Sequence, residues 1–311
     1  MVSTIHASSL AKTYGKNRAV HDVTFAVEPG QIVGLIGPNG AGKTTVMRML
    51  VDIIRPTSGT VSVLGHEPQT APASLRERIG YLPGELRLST RATAKQVLTF
   101  FADLSGPVTP GAIDSWAERF GLDLAKPVRD LSKGNKQKVG LIQALMHSPE
   151  LLILDEPTSG LDPLIQREFM SVLKEVRASG RTVLLSSHVL GEIQQSADRV
   201  VVLSSGRLVA DSSVGSLALA HLKRVKLVVS ATEHRYVLGV LQRAGISSDV
   251  NGTELGDTSV AVDFPYSGHP KDLIRTLGGI DLIDVSITEP ALEDSVLSLY
   301  DSERKPEADH G

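Results

Sequence analysis

The sequence predicts an α/β protein built on a doubly wound parallel sheet, and three observations carry that expectation. Short runs such as Leu151-Leu152-Ile153-Leu154 and Val200-Val201-Val202-Leu203 have no polar residue, as strands covered on both faces require. Segments with apolar residues at helical spacing alternate with these runs. A third run, Ile32-Val33-Gly34-Leu35-Ile36, continues into Gly37-Pro38-Asn39-Gly40-Ala41-Gly42-Lys43-Thr44 and a helix-like stretch from Thr45 to Leu50. That is the G-x-x-x-x-G-K-[ST] phosphate-binding loop, in its strand–loop–helix context.

Before the loop, Ile5 to Ser8 and Val23 to Val27 alternate apolar with polar and read as half-buried antiparallel strands. A turn at Tyr14-Gly15-Lys16-Asn17 joins them, and Glu28-Pro29-Gly30 turns the chain into the loop strand. In the loop itself, glycines let backbone N–H groups curl around phosphate oxygens, and the following helix points its positive end at them. Lys43 is then expected to reach the β- and γ-phosphates, and the Thr44 hydroxyl to ligate Mg²⁺.

Thr60 to Leu64 alternates as a further strand, and Ile79-Gly80-Tyr81-Leu82 is a short one stopped by Pro83 and Gly84. Helical spacing returns over Thr93–Leu104 and Ala112–Phe120, giving a helical subdomain at about 85–130. Trp116 falls at helical spacing there and is expected to pack. A helix over Lys136–Met146 ends at His147-Ser148-Pro149. The Leu151–Leu154 strand ends in Asp155-Glu156 and is expected to lie beside the phosphate loop, where Asp155 would hold Mg²⁺ and Glu156 would polarise the attacking water. Pro163–Ala178 reads as a helix that tolerates proline in its first turn, and Thr182–Ser186 and Arg199–Leu203 as buried strands.

The character changes around Gly215 to His221, which predicts a domain at 1–215, a second at 222–300 and a disordered polar tail at 301–311. The second reads strand Val225–Val229, helix Glu233–Ala244, strands Ser247–Val250 and Val260–Phe264, helix Pro270–Leu277, strand Leu282–Ile287 and a closing helix Ala291–Tyr300. The order β-α-β-β-α-β is that of a small α+β ferredoxin-like module. It has no cluster of titratable groups, so a regulatory or dimer-forming role is expected.

Composition narrows the function classes. A net charge of −3 and pI near 6.3 offer no basic field for nucleic acid or an anionic membrane. The sequence has no cysteine, which excludes disulfides and thiolate sites and fits a cytosolic chain. No signal peptide is evident in Met1 to His6, and the apolar runs are far short of a membrane span. His66, His147, His221 and His269 are scattered without metal-ligand spacing.

Taken together, residues 3–213 resemble the ATP-binding subunit of ABC transporters. Gly37 to Thr44 matches the family's Walker A motif and Leu151 to Glu156 its Walker B. Leu131-Ser132-Lys133-Gly134-Asn135 is similar to its LSGGQ signature, with Lys133 and Asn135 substituted. Ser159-Gly160-Leu161-Asp162 matches the D-loop, and Ser187-His188 the switch histidine; Tyr14 falls where the family stacks an aromatic ring on adenine. The resemblance implies ATP hydrolysis with Mg²⁺, with Glu156, His188 and Lys43 catalytic and Thr44 and Asp155 on the metal. It implies nucleotide contacts from Tyr14, Gly37, Pro38, Asn39, Gly40, Ala41, Gly42, Lys43, Thr44 and Thr45. Ser132, Gly134 and Asp162 would reach ATP held by a second copy or a related ATPase, in a head-to-tail dimer.

It further implies a separate transmembrane permease subunit and a place on the inner face of the cell membrane. Motif wording and the C-terminal module resemble bacterial exporters of drugs, antibiotics or lipids. An importer ATPase and a soluble ABC ATPase acting on ribosomes or DNA are the alternatives. A single phosphate loop and a short insertion without heptads count against the soluble one. The chain departs from the family at Gly84, where a glutamine usually touches Mg²⁺; either Glu85 approaches the metal instead, or water takes that place.

Overall fold

The computed structural model describes residues 3–219, 223–246, 251–254, 258–266 and 268–288. The chain first forms β1 (Ile5–Tyr14), β2 (Asn17–Val27), β3 (Ile32–Ile36), α1 (Lys43–Leu50) and β4 (Ser58–Val63). β1 pairs antiparallel with β2 on one side and β4 on the other. Alternation along these strands buries Ile5, Ala7, Val23, Phe25 and Val27 on one face.

A short α2 (Ser74–Glu77) leads into β5 (Ile79–Leu82), followed by α3 (Ala94–Leu104), α4 (Ala112–Phe120), α5 (Lys133–Leu145) and β6 (Leu151–Leu154). Then come α6 (Pro163–Ala178), β7 (Thr182–Ser187), α7 (Leu190–Ser196), β8 (Arg199–Ser204), β9 (Arg207–Ser213) and α8 (Val214–Leu219). The central sheet has the order β5-β6-β7-β3-β8-β9, parallel except for β9. Every residue of β3, β6 and β7 is buried, which is why their sequences carry no alternation. One apolar core joins the two sheets through Val46, Met47 and Leu50 of α1, so the helix after the phosphate loop is clamped between them.

Three findings refine the sequence reading. α5 begins at Lys133, three residues before the expected Lys136, because Ser132 caps it by accepting the Asn135 N–H at 3.3 Å. The edge strand β9 gives no periodic signal; it forms by pairing with β8. β6 does not neighbour the phosphate-loop strand directly: β7 lies between them. The carboxylates at the end of β6 therefore face the loop across the end of β7.

The helical insertion is tied down by charge and packing. Arg119 on α4 pairs with Glu168 and Glu175 of α6, and Trp116 stacks on Phe120 at 5.7 Å. Trp116 is a packing residue, as its spacing predicts.

The chain divides into two compact units, Met1–Val214 and Gly215–Gly311. The second unit contains β10 (Lys223–Ser230), α9 (His234–Arg243), β11 (Asn251–Glu254), β12 (Ser259–Tyr266), α10 (Pro270–Leu277) and β13 (Leu282–Thr288). Its sheet is antiparallel in the order β11-β12-β10-β13, which places β12 between the two strands of the first β-α-β unit, the split arrangement of a ferredoxin-like module. Val225, Leu227, Val237, Leu241, Phe264 and Leu273 are among its core residues. The strand expected at 247–250, the helix at 291–300 and the tail at 301–311 lie outside the described residues.

Candidate active site

The phosphate loop crosses from β3 to α1 with Pro38, Asn39 and Gly40 exposed at its crest and Ala41 buried beneath. Gly42 adopts φ +100°, and a Cβ there would lie 2.8 Å from the Ala19 carbonyl of β2. Both facts restrict the position to glycine, and the close approach sets the β1–β2 hairpin against the loop. Tyr14, at the turn of that hairpin, is 46% exposed, with the Lys12 ammonium 5.2 Å from its ring centre. Thr44 and Thr45 open α1 and are half-buried.

Lys43 folds back over the loop and donates to the Gly37 carbonyl at 2.6 Å and the Pro38 carbonyl at 3.3 Å. Burial pulls its ammonium below the usual lysine range, while Glu156 and Asp155 pull in the opposite direction. Those two carboxylates therefore share a field with Lys43, as the sequence reading expects.

Asp155 is fully buried at the end of β6. Its Oδ1 accepts from the Ser186 hydroxyl at 2.6 Å, whereas Oδ2 has no donor within reach among the described residues. Glu156 follows in the left-handed conformation, φ +50°, which is costly for a residue with a side chain. Beside the local Ser159 N–H, which its carbonyl accepts at 3.2 Å, three side chains hold it there. Its N–H donates to Ser186 Oγ at 2.9 Å, its carbonyl accepts from Gln137 Nε2 at 3.1 Å, and its Oε2 lies 2.5 Å from His188 Nδ1. His188 is otherwise open, with 62% of its side chain exposed.

The signature segment stands on the far side of the Glu156 turn. A Cβ at Gly134 would sit 2.4 Å from the Gly160 carbonyl, so only glycine lets α5 pack this closely on the 159–162 turn. Lys133, in place of the family's glycine, lays its methylenes over Gly160 and brings Nζ to 3.4 Å from Ser159 Oγ. Asp162 caps α6 by accepting the Leu164 and Ile165 N–H groups through Oδ1. Ser132, Gly134 and Asp162 thus belong to a second face of the same chain, joined to the first through Gln137.

At Gly84, a Cβ would stand 2.9 Å from Asp155 Oδ2. Glu85 pairs with Arg87 at 2.9 Å and its side chain is 69% exposed, so its carboxylate is engaged at the surface. Sequence reasoning did not find Ser186, Gln137 or Glu192. The Glu192 carboxylate takes the hydroxyls of Thr158 at 2.8 Å and Ser187 at 3.2 Å, tying the turn after Glu156 to the histidine segment. A polar residue closing the apolar Val183-Leu184-Leu185 run was the available signal for Ser186.

The family model described as ABC transporter matches residues 20–159. The bacitracin transport ATP-binding protein BcrA of Bacillus licheniformis is 32% identical over 304 residues, covering 96% of this chain and 98% of that protein. The linearmycin resistance ATP-binding protein LnrL of Bacillus subtilis is 30% identical over 308 residues, with 95% and 97% covered. A solved ATP-binding subunit of an ABC transporter superposes with a TM-score of 0.64 at 30% identity, covering 69% of this chain and 92% of that one. With relatives matched end to end and a cassette matched in three dimensions, the chain belongs to the ATP-binding proteins of ABC transporters and is an ATPase.

Proposed function

We propose that this chain powers export of a drug-, antibiotic- or lipid-like compound through a separate membrane-spanning subunit. The observation that supports the ATP-driven part of the reading is the joining of Lys43, Asp155, Glu156 and His188 at one end of the central sheet. Relatives named for bacitracin transport and linearmycin resistance support the exporter over the importer. Residues 1–215 act as the cassette and 222–300 as a regulatory or dimer-forming module. Phe100 and Leu104, exposed on α3, suit the 85–130 subdomain to meeting a partner at the inner face of the membrane.

Glu156 takes a proton from the attacking water, with His188 steadying its other oxygen. Lys43 exchanges the Gly37 and Pro38 carbonyls for phosphate oxygens, the loop N–H groups cradle the same phosphates, and Tyr14 offers an open ring face to adenine. Asp155 Oδ2, anionic, buried and without a donor, is the kind of oxygen that a hard cation satisfies, so the residues present fit Mg²⁺, with Thr44 the second protein ligand. Bound there, Mg²⁺ would supply charge neutralisation for the β- and γ-phosphate oxygens. Two copies close head to tail, with Ser132 and the Gly134 amide turned to the partner's nucleotide and Asp162 at the crossing.

Glu156→Gln, tagged and purified from membranes of its native cell with Mg·ATP, tests the reading. Recovery of a polytopic membrane protein supports it, ribosomes or DNA would overturn it, and dependence on an external solute-binding protein would make the chain an importer ATPase.

Lys43 sets the sign of a pH effect. Its folded value lies below the usual 10.5, so between the two the unfolded chain binds more protons and this residue's contribution to stability rises with pH. ATP binding, which needs the ammonium, is expected to weaken as the protein loses that proton and to take up protons in alkaline buffer. Nucleotide titrations in buffers of different ionisation enthalpy measure this directly.

A further inference from the structure

We propose that Gln137 and Ser186 are positioning residues that hold Glu156 in its left-handed conformation and so aim the base at the attacking water. The inference rests on the reading of Glu156 as that base. A glutamate at φ +50° persists only where its surroundings over-determine it, and here a side chain from another element holds each end of the residue, beside the local Ser159 N–H to Glu156 carbonyl bond at 3.2 Å. Ser186 Oγ accepts the Glu156 N–H at 2.9 Å, and its single proton goes to Asp155 Oδ1 at 2.6 Å. One hydroxyl thereby fixes both carboxylate residues, and leaves Asp155 Oδ2 as the oxygen that faces the site.

On the other side, the Gln137 amide spans two carbonyls in succession, those of Glu156 and Pro157, each at 3.1 Å. Its side chain lies within the protein, with only 5% of the residue exposed, and those carbonyls are its structural purpose. Gln137 stands on α5 one turn after the signature, and α5 also rests on the Gly160 carbonyl through Gly134. The helix whose N-terminus bears Ser132 therefore grips the turn that carries the base. Ser186→Ala would leave the Glu156 N–H unpaired, and Gln137→Leu would leave the Glu156 carbonyl with only the Ser159 N–H at 3.2 Å, so each loosens the turn and lets it relax toward common φ values.

The test uses the full chain with Gln137→Leu, which keeps side-chain bulk but has no donor, and Ser186→Ala as an independent variant should the first not fold. Each is expected to lower kcat about 10- to 100-fold, the scale of a misplacement of about 1 Å, and in Gln137→Leu, whose bonds go to the Glu156–Pro157 turn and not to Asp155, KM and ATP affinity stay within about twofold. In a Glu156→Gln background, Gln137→Leu is expected to leave the residual rate unchanged, because the group it positions is already gone. Wild-type kcat in both single variants, beside an inactive Glu156→Gln, would overturn the positioning role alone. A further rate loss from Gln137→Leu in the Glu156→Gln background would overturn it too. Glu156→Gln hydrolysing at the wild-type rate would remove the base itself, and the proposal with it.

Discussion

Glu156→Gln is expected to lower ATP turnover about 10²- to 10⁴-fold, the range that a positioned proton acceptor contributes, with ATP affinity nearly unchanged. The substitution is close to isosteric, so the backbone bonds to Ser186 and Gln137 that hold φ +50° remain available. The amide can still meet His188 Nδ1 through its oxygen, and Lys43 and the loop N–H groups are untouched. What disappears is a site able to accept a proton. Single-turnover hydrolysis and equilibrium binding of a fluorescent nucleotide separate the two quantities. A variant that binds ATP tightly and hydrolyses it at more than about one tenth of the wild-type rate would exclude Glu156 as the base. Loss of binding along with turnover would instead indicate that the turn had collapsed.

The fold was legible where local sequence and burial agree. The unbroken apolar runs of β3, β6 and β7 are buried on both faces, and the Pro163 start of α6 stands where helix-start chemistry puts it. β9 was not legible, because an edge strand forms by pairing with β8 and needs no apolar pattern of its own. Among the proposed site residues, Lys43, Asp155 and Glu156 could be picked out of the sequence because each lies in a contiguous motif. Ser186 and Gln137 could not, because their partners are 30 and 19 residues away, and only the interposed β7 and the packing of α5 bring them together. The left-handed turn at Glu156 was equally hidden: glutamate carries no signature for positive φ, and tertiary contacts impose it. At Gly84 the motif comparison marked a missing side chain, and the structure adds that a Cβ there would press on Asp155 Oδ2.

Asp155→Asn is expected to move stability and activity in opposite directions. Oδ2 carries negative charge in a fully buried position with no donor, and an unpaired buried polar atom costs about 1–3 kcal/mol, more when charged. The amide can keep its oxygen toward Ser186, preserving the bond that also orders the Glu156 N–H; its NH₂ is then buried and unpaired in the place of Oδ2, and the gain is the removal of the charge alone. Lys43 loses one of two favourable charges but keeps both of its carbonyl acceptors and Glu156. The nucleotide-free variant should therefore unfold at higher denaturant, by about 1 kcal/mol net. Turnover should fall about 10³-fold or more, since charge stabilisation is the main work of phosphoryl transfer. The added stability that Mg·ATP confers over ATP alone should shrink to near zero, and this readout is independent of hydrolysis. Urea unfolding of the free protein, then of the protein with ATP, with and without Mg²⁺, gives all three stability comparisons. A less stable apo variant would show that Asp155 is held mainly by Lys43, not strained by burial. A variant that kept its Mg²⁺-dependent stabilisation would remove Asp155 from the metal site. The sign of the first result matters most, because a residue that costs the empty protein stability and is needed only with nucleotide bound is retained for function.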